Sequence, residues 1–338
     1  MADQPIAVFA DITESWQKDL LIERLSETFE LVIEDKPLSE FSSEQYQNAQ
    51  ILSIFINSDC KAKELERWPE LEFIATRSTG YDHIDLSYCS EHGITVSNVP
   101  TYGDNTVAEH TFALILSLSR NLYEAVQRTQ RGDYELGGIR GFDLRGKTIG
   151  IIGTGHIGIH VAKMARGFGM NILAYDIQRN DFLSELIGFD YVDLETLVEQ
   201  SHIISLHCPL TESTRYIIDE DMLSRSRDDL LVINTARGEL IDTDALLRAL
   251  EDGRLGGAGL DVIEGEEMIL SESKLNEKNF SREKLQTLVQ NNRLLKRDNV
   301  IFTPHMAYNS REAIERIFET TIDNIKAFQK ENPIHTVN

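Results

Sequence analysis

Short apolar runs alternate with amphipathic helical patterns along the whole chain. The runs that predict strands are 6–10, 51–56, 72–76, 94–98, 148–153, 171–176, 202–207, 229–235, 257–262 and 300–304. The helical patterns between them are 16–29, 107–128, 243–253 and 311–329. Strands that alternate with helices in this way predict parallel sheets with crossover helices, which is an α/β fold.

The length of the chain and its turns predict two domains. A chain of 338 residues exceeds what one hydrophobic core usually organises. The Pro/Gly/Asn-rich stretch 98–105 and the stretch 303–310 are the candidate crossings between domains, and only one amphipathic helix follows the second stretch. We therefore expect that last helix to return and pack on the N-terminal domain.

Composition excludes several classes of protein. A net charge of −23 repels nucleic acid and anionic membranes, and no apolar run reaches the roughly 18 residues that span a bilayer. Cys60, Cys89 and Cys208 have no paired spacing, and the N-terminus lacks the basic segment of a secretory signal, so we expect a cytoplasmic protein. His156 and His160 lie one helical turn apart, but no third ligand accompanies them, so we predict no metal site.

A glycine-rich turn has the pattern of a dinucleotide site. Gly153, Gly155 and Gly158 form G-x-G-x-x-G between a predicted strand and a predicted helix, and the next strand ends in Asp176. In that context the glycines make a tight turn, admit the pyrophosphate and let the helix pack on the strand. Asp176 would accept the ribose hydroxyls and repel a 2′-phosphate, so we predict NAD rather than NADP. Arg179 is the one residue that could soften this preference.

Four later strands each end in a chemically suggestive residue. The groups at these ends are Cys208 with Pro209, Arg237, Asp261 with Glu266, and His305. In open parallel sheets, ligands bind beyond the carboxyl ends of the strands. An arginine grips a carboxylate by paired hydrogen bonds, a histidine donates a proton to a carbonyl oxygen, and an acid orients that histidine and favours its protonated form. Together these groups suit the reversible reduction of a 2-oxo acid by a nicotinamide cofactor.

Each of these residues also has a purely structural interpretation. Arg237 could pair with one of many acids, Asp261 could cap a turn, and His305 could be a loop histidine. Glu266 belongs to the run EGEE (264–267), and from spacing alone either of the other glutamates would serve as well.

Longer motifs are spread over nearly the whole chain. They are TRSTGYDHIDL (76–86), NVPTYGDNTVAEH (98–110), IIGTGHIG (151–158), AYDIQRN (174–180), SLHCPLTEST (205–214), NTARGELIDTDAL (234–246), GLDVIEGE (259–266) and TPHMAY (303–308). Together they resemble the NAD-dependent D-2-hydroxyacid dehydrogenase family, and within it most closely the D-lactate dehydrogenases. The resemblance implies that Arg237, Glu266 and His305 are catalytic, with His305 as the proton donor, and so selects Glu266 within EGEE.

The resemblance also implies the ligand contacts. The backbone around Thr79, Gly80 and Tyr81 would hold the substrate carboxylate, with Tyr102 nearby. The implied cofactor contacts, beside the three glycines, are His156, Ile157, Asp176, Cys208, Pro209, Thr214, Thr235, Ala236, Arg237 and Asp261.

The architecture that the resemblance implies has two doubly wound parallel-sheet domains. A Rossmann cofactor domain, 101–306, is inserted in a flavodoxin-like substrate domain formed by 1–100 and 307–338. A hinge would join the domains, and a homodimer would form through the cofactor domains. The D stereochemistry comes from this resemblance alone.

Three features depart from the family pattern. Glycerate-type members have a proline directly after the catalytic glutamate, where this chain has Glu267. An insert, 268–299, resembles that of lactate-type enzymes and is somewhat longer. Phe55 lies near the position where some lactate enzymes have a tyrosine, which leaves the preference among small 2-oxo acids open. We expect leucines of the insert to pack over the cofactor domain, with partner binding as the alternative; they are Leu285, Leu288, Leu294 and Leu295.

The leading functional hypothesis is the NADH-dependent reduction of pyruvate to D-lactate, or the reverse. One alternative is the same chemistry on a branched-chain 2-oxo acid, glyoxylate or hydroxypyruvate. Another is a non-catalytic NAD-sensing scaffold similar to transcriptional co-repressors, which the strong negative charge of the chain disfavours.

Overall fold

The chain forms two compact units. The computed structural model describes residues 4–41, 46–56, 58–266 and 282–338. Unit 1 consists of Met1–Tyr102 with Ser310–Asn338, and unit 2 consists of Gly103–Asn309. None of the helices in the described ranges has the length and hydropathy that crossing a bilayer requires.

Unit 1 is built on a five-stranded parallel sheet. Its strands are β1 (Ile6–Phe9), β2 (Glu30–Ile33), β3 (Ile51–Ile54), β4 (Phe73–Thr76) and β5 (Thr95–Ser97). Their order in the sheet is β2-β1-β3-β4-β5, and every pairing is parallel. This is the strand order of flavodoxin-like folds, in which ligands bind where the order reverses.

The helices of unit 1 come from both the N-terminal and the C-terminal segments of the chain. They are α1 (Ser15–Leu25), α2 (Ala62–Leu65), α3 (Leu86–Glu91) and, from the C-terminal segment, α12 (Arg311–Gln329). As expected, α12 returns to this unit, where it packs on β4 and α1, and Phe328 stacks on Phe73 with ring centroids 4.4 Å apart.

The first helix is shorter than its pattern predicts. The sequence predicts a helix over 16–29, but α1 ends at Leu25. The backbone N–H groups of Thr28 and Phe29 both donate to Leu25 O, which turns the chain toward β2 and buries the Phe29 ring. Strand β2 itself has no fully buried residue, and the alternation that would have predicted it is missing.

Unit 2 is built on a seven-stranded parallel sheet. Its strands are β6 (Thr148–Ile152), β7 (Asn171–Tyr175), β8 (Asp190–Tyr191), β9 (Ile203–Leu206), β10 (Leu231–Asn234), β11 (Gly257–Leu260) and β12 (Val300–Phe302). Their order is β12-β11-β10-β9-β6-β7-β8, and every pairing is parallel. Counted within this unit from the β8 edge, the order is 3-2-1-4-5-6-7, which is the Rossmann arrangement. The predicted fold class, with two doubly wound parallel sheets, is confirmed.

Helices cover both faces of this second sheet. They are α4 (Asp104–Ser119), α5 (Leu122–Gln130), α6 (His156–Gly167), α7 (Asp181–Ile187), α8 (Leu194–Gln200), α9 (Glu220–Arg225), α10 (Thr243–Glu251) and α11 (Arg282–Leu295). One core cluster lies between the sheet and α8, α9 and α10, and another lies between the sheet, α4 and α6. The two clusters bury both faces of the central strands, as their continuous apolar runs predict.

The single helix predicted over 107–128 is wrong. Asn121 takes a left-handed conformation, with φ 48° and ψ 39°, and separates α4 from α5. At the same place the segment around Gly141 crosses the end of α4: Phe142 N donates to Ser119 O at 2.8 Å. A Cβ at Gly141 would lie 2.2 Å from Ser119 O, so the crossing requires a glycine there. Asparagine tolerates the left-handed region better than most residues, so the break costs little conformational free energy.

The insert packs on unit 2 through part of its leucine pattern. Leu294 of α11 is fully buried in the core cluster beside α10, and Leu295 packs against that cluster. Leu285 is 49% exposed, so its expected packing is wrong. Residues 267–281, which include Glu267 and the whole part of the insert before α11, lie outside the described residues.

Candidate active site

The glycine-rich turn has the close approaches that a dinucleotide site requires. Gly153 follows β6 with φ +95°, and a Cβ there would lie 2.6 Å from Cys208 N. A Cβ at Gly158 would lie 2.0 Å from Gly153 O, so only glycine lets α6 begin this close to the strand. A Cβ at Gly155 would meet nothing within 4 Å, which leaves the N-terminus of α6 open to a pyrophosphate. These residues therefore fit NAD.

Asp176 is fixed at the end of β7. Its Oδ2 accepts hydrogen bonds from Thr154 N at 2.6 Å and Thr154 Oγ1 at 3.0 Å, and its Oδ1 accepts one from Gln178 N at 2.8 Å. The Tyr191 hydroxyl bonds to Thr154 Oγ1 at 2.8 Å, and the guanidinium of Arg179 lies 5.7 Å from the Tyr191 ring centroid. Sequence patterns gave no signal for Thr154 or Tyr191.

The other predicted cofactor contacts lie at the same edge of the sheet of unit 2. They are His156 and Ile157 at the start of α6, Cys208, Pro209 and Thr214 beyond β9, Thr235 and Ala236 beyond β10, and Asp261 beyond β11. The Thr214 hydroxyl donates to Pro209 O at 2.6 Å, which closes the turn after β9. Burial lowers the pKa of the neighbouring His207 to about 3, so this ring is neutral.

A compact turn presents Arg237 beyond β10. The Asn234 side chain closes the turn: its Oδ1 accepts Ala236 N at 3.0 Å, and its Nδ2 donates to Arg237 O at 2.8 Å. A Cβ at Gly238 would lie 2.1 Å from the carbonyl carbon of Ile263. The turn that carries Arg237 therefore packs directly on the loop that leads to Glu266.

Glu266 and His305 form a close pair. Their loops follow the neighbouring parallel strands β11 and β12, and His305 Nδ1 lies 2.6 Å from Glu266 Oε1. Because a carboxylate only accepts, Nδ1 carries the hydrogen, and Nε2 remains for a transferable proton. The two side chains are 26% and 22% exposed, so solvent and small ligands reach them. Glu264 instead accepts from the Tyr216 hydroxyl at 2.6 Å and from Arg215 at 3.2 Å.

Asp261 is a buried carboxylate that holds the loop of His305. It accepts hydrogen bonds from Met306 N at 2.9 Å, Ala307 N at 2.8 Å and the Thr303 hydroxyl. Burial by itself raises the pKa of Asp261, but hydrogen bonds from His110, Thr303 and the two backbone groups outweigh it. The pKa of Asp261 therefore lies below its usual value, and the group is ionised at neutral pH.

The residues predicted to bind the substrate carboxylate lie in unit 1. Thr79, Gly80 and Tyr81 form the turn after β4, where Asn98 Nδ2 donates to Thr79 O at 2.8 Å. Among the residues that the structure describes, the backbone N–H of neither Gly80 nor Tyr81 is bonded to a protein acceptor. Tyr102 accepts from Arg316 Nε through its carbonyl at 2.7 Å.

Arg77 is a fully buried cation close to that turn. Its Nη1 donates to Ser53 Oγ at 2.9 Å, its Nη2 donates to Ala10 O, and its guanidinium lies 5.7 Å from the Phe318 ring centroid. Burial lowers the pKa of Arg77 to about 10, against the opposing effect of Asp11, so the charge is retained at neutral pH. Arg77 lies in the motif 76–86, but a buried cation was not predicted there.

The comparisons with known proteins agree with this geometry. Residues 112–307 match the family described as "D-isomer specific 2-hydroxyacid dehydrogenase, NAD binding domain". The D-lactate dehydrogenase of Escherichia coli is 35% identical over 332 residues, which cover 96% of this chain and 97% of that protein. The chain belongs to the D-2-hydroxyacid dehydrogenase family.

Other relatives are similar to this chain over most of its length. A 2-hydroxyacid dehydrogenase homolog of Haemophilus influenzae is 37% identical over 302 residues, 88% of each chain. The crystal structure of the D-lactate dehydrogenase of Aquifex aeolicus, complexed with NAD and lactic acid, matches with a TM-score of 0.86 and 36% identity. That match covers 98% of this chain and 100% of the other.

Membership confirms the predicted family, enzyme class and cofactor. The protein is an NAD-dependent 2-hydroxyacid dehydrogenase, and its substrate is a small 2-hydroxy or 2-oxo acid. The predicted residue roles remain predictions. Sequence analysis missed His110 and Thr303, which complete the hydrogen-bond network around Asp261. His110 lies within one of the motifs of the family resemblance, 98–110, and that membership was the signal that could have found it.

Proposed function

We propose that the protein catalyses the NADH-dependent reduction of pyruvate to D-lactate and the reverse reaction. The observation that carries the proposal is the close pair of His305 and Glu266, together with the packing of the Glu266 loop against the turn of Arg237. The likeness to D-lactate dehydrogenases over nearly the whole chain supports pyruvate as the substrate.

The mechanism assigns one task to each side chain. NADH, when bound, supplies the hydride that reduces the carbonyl carbon. Arg237 binds the substrate carboxylate and carbonyl oxygen through its planar guanidinium. His305 holds a proton on Nε2 and donates it to that oxygen, while Glu266 keeps the ring oriented by accepting from Nδ1. In the reverse direction His305 takes the proton back from the hydroxyl.

We also propose that the turn of Thr79, Gly80 and Tyr81 binds the substrate carboxylate. The unbonded N–H groups of Gly80 and Tyr81 and the buried charge of Arg77 support this role, since both favour an anion. Arg77→Met should raise the KM for pyruvate more than it lowers kcat. If the variant folds and its KM lies within twofold of that of the unchanged protein, the proposed carboxylate-binding role is contradicted.

A panel of 2-oxo acids tests the proposed substrate. The panel contains pyruvate, glyoxylate, hydroxypyruvate, a branched-chain acid and phenylpyruvate, and the readouts are NADH oxidation and the chirality of the product. Phenylpyruvate is included because two relatives, of 36% and 37% identity, are named aromatic 2-oxoacid reductases. We expect pyruvate to have the highest kcat/KM and to give D-lactate. A higher kcat/KM for another acid would make that acid the proposed substrate instead of pyruvate. NADH binding without turnover of any acid would favour the non-catalytic scaffold.

His305→Gln tests the proposed proton donor. We expect kcat to collapse while the Kd for NADH changes little, because the ring contacts the reacting oxygen rather than the dinucleotide. Unchanged turnover would remove His305 from its role.

We propose a homodimer through unit 2. Helix α5 exposes Leu122, Tyr123 and Val126, and the following loop leaves Tyr134 78% and Leu136 81% exposed. Apolar side chains grouped in this way are typical of protein interfaces. Light scattering should give twice the chain mass, and Leu136→Asp combined with Tyr123→Glu should give the mass of one chain. A monomeric unchanged protein would refute the dimer.

We propose that the protein works in the cytoplasm. Its cysteines are free thiols, two of them buried, which suits a reducing compartment. Cell fractionation that recovers the protein outside the cytoplasm would contradict this.

A further inference from the structure

The backbone of His305 is strained and must be held in place. Its φ is +52°, a left-handed conformation that a non-glycine residue adopts at a cost in free energy. Two backbone bonds fix it, since His305 N donates to Asp261 O at 2.8 Å and to Thr303 O at 2.9 Å. Met306 N and Ala307 N then donate to the Asp261 carboxylate. The conformation of His305 thus depends on Asp261.

Asp261 is in turn held by a hydroxyl and an imidazole. The Thr303 hydroxyl donates to Asp261 Oδ1, because an ionised carboxylate can only accept. His110 Nε2 lies 2.9 Å from Thr303 Oγ1 and 3.5 Å from Asp261 Oδ1. Since the single hydrogen of Thr303 is directed to Asp261, His110 must donate from Nε2 to Thr303. The order of donation is therefore fixed from His110 through Thr303 to Asp261.

Helix α4 gives this network a rigid base. The helix packs on β10 and β11 and on α6, and its buried side chains belong to the core. Thr111, the residue after His110, bonds through its hydroxyl to Thr235 Oγ1 at 3.0 Å, two residues before Arg237. Consecutive residues of one helix thus reach the loop of His305 and the turn of Arg237.

We propose that His110 is a positioning residue for His305, acting through Thr303 and Asp261. This inference rests on the proposed role of His305 as the proton donor. His110 does not touch the reacting atoms in this proposal. Its donated hydrogen bond orients the Thr303 hydroxyl, which completes the set of donors that keeps the Asp261 carboxylate under the loop.

Substitutions at two positions of the network test the proposal. His110→Leu removes the ring donor, and Thr303→Val removes the hydroxyl at nearly constant volume. We expect each variant to lower kcat about tenfold while the Kd for NADH stays within twofold. His110→Gln, which keeps an N–H donor at a similar reach, should recover most of kcat. Glu109→Gln, on an exposed neighbour in α4, is the matched control and should leave kcat unchanged.

Double variants separate positioning from simple loss of stability. If the two residues act in series, His110→Leu with Thr303→Val should have the kcat of the worse single variant. In the background of His305→Gln, His110→Leu should lower kcat no further. Three results would each overturn the proposal. They are the same tenfold loss in that background, a kcat of His110→Leu within twofold of the unchanged protein, and failure of His110→Gln to recover activity. If His305→Gln alone keeps full turnover, the proposed function fails and this inference fails with it. If His305→Gln loses turnover but the His110 variants keep the kcat of the unchanged protein, only the inference is refuted.

Discussion

Replacement of Glu266 by glutamine isolates the charge beside His305. Glutamine has nearly the same shape and can still accept from Nδ1, so the variant removes the negative charge rather than the contact. A hydrogen bond to a charged group contributes about 1.5–3 kcal/mol and one between neutral groups about 0.5–1.5 kcal/mol, so loss of the charge alone should cost about 1–1.5 kcal/mol. Because about 1.4 kcal/mol corresponds to a factor of ten in rate, kcat for pyruvate reduction should fall roughly 5–12-fold.

The neighbouring acid supplies a matched control for this substitution. Glu264 lies two residues earlier on the same loop but bonds to Tyr216 and Arg215, so Glu264→Gln should leave kcat within about twofold. Steady-state kinetics with NADH and pyruvate at saturating concentrations gives both values, and the Kd for NADH should be the same in the two variants. An equal loss of kcat in both variants, or no loss in Glu266→Gln, would refute the assignment of Glu266.

Four further substitutions test other features of unit 2. Gly158→Ala should lower Tm by several degrees, because its Cβ would overlap Gly153 O. Gly155→Ala should instead weaken NADH binding at nearly unchanged Tm, and the reverse pattern would contradict the packing described for the two glycines. Asp176→Ala should raise the ratio of activity with NADPH to activity with NADH, and a constant ratio would show that Asp176 is not the ribose acceptor. His207 has a folded pKa of about 3, so the unfolded chain alone takes up its proton below pH 6.5, and stability falls by up to about 1.4 kcal/mol per pH unit. His207→Gln should therefore lose less Tm than the unchanged protein between pH 7 and pH 5, and parallel curves would refute this.

Much of the fold could be predicted because the central strands are buried on both faces. Strands such as β9 and β10 have no exposed residue, so each appears in the sequence as a mostly apolar run. The edge strands β2 and β8 gave no such signal. β2 has no buried residue, and β8 has only two residues that pair with β7. Their conformation is set by the neighbouring strand rather than by their own pattern.

The break between α4 and α5 could not be predicted for a different reason. The apolar pattern continues through Asn121, and a single asparagine does not end a helix by its propensity alone. The break is imposed by the return of Gly141 and Phe142 across the end of α4, some twenty residues later in the chain. Only the tertiary structure contains that contact.

The residues proposed to react were predictable, whereas the residues that hold them in place were missed. Arg237, Glu266 and His305 come shortly after strands of one parallel sheet, which places them at the same sheet edge by geometry alone. His110 lies in the second turn of α4, and its partner Thr303 is 193 residues away. No spacing rule connects the two positions, so only the coordinates reveal the network.

The packing of Gly238 against Ile263 has a consequence for how inactive variants are interpreted. Any side chain at Gly238 pushes apart the two segments that present the guanidinium and the acid, so catalysis would be lost without any change of reactive group. In a mutational scan, substitutions of this glycine would lower activity as much as substitutions of the catalytic side chains. Activity alone would therefore not separate a packing residue from a catalytic one, whereas calorimetry would, because only the packing substitution should also lower Tm.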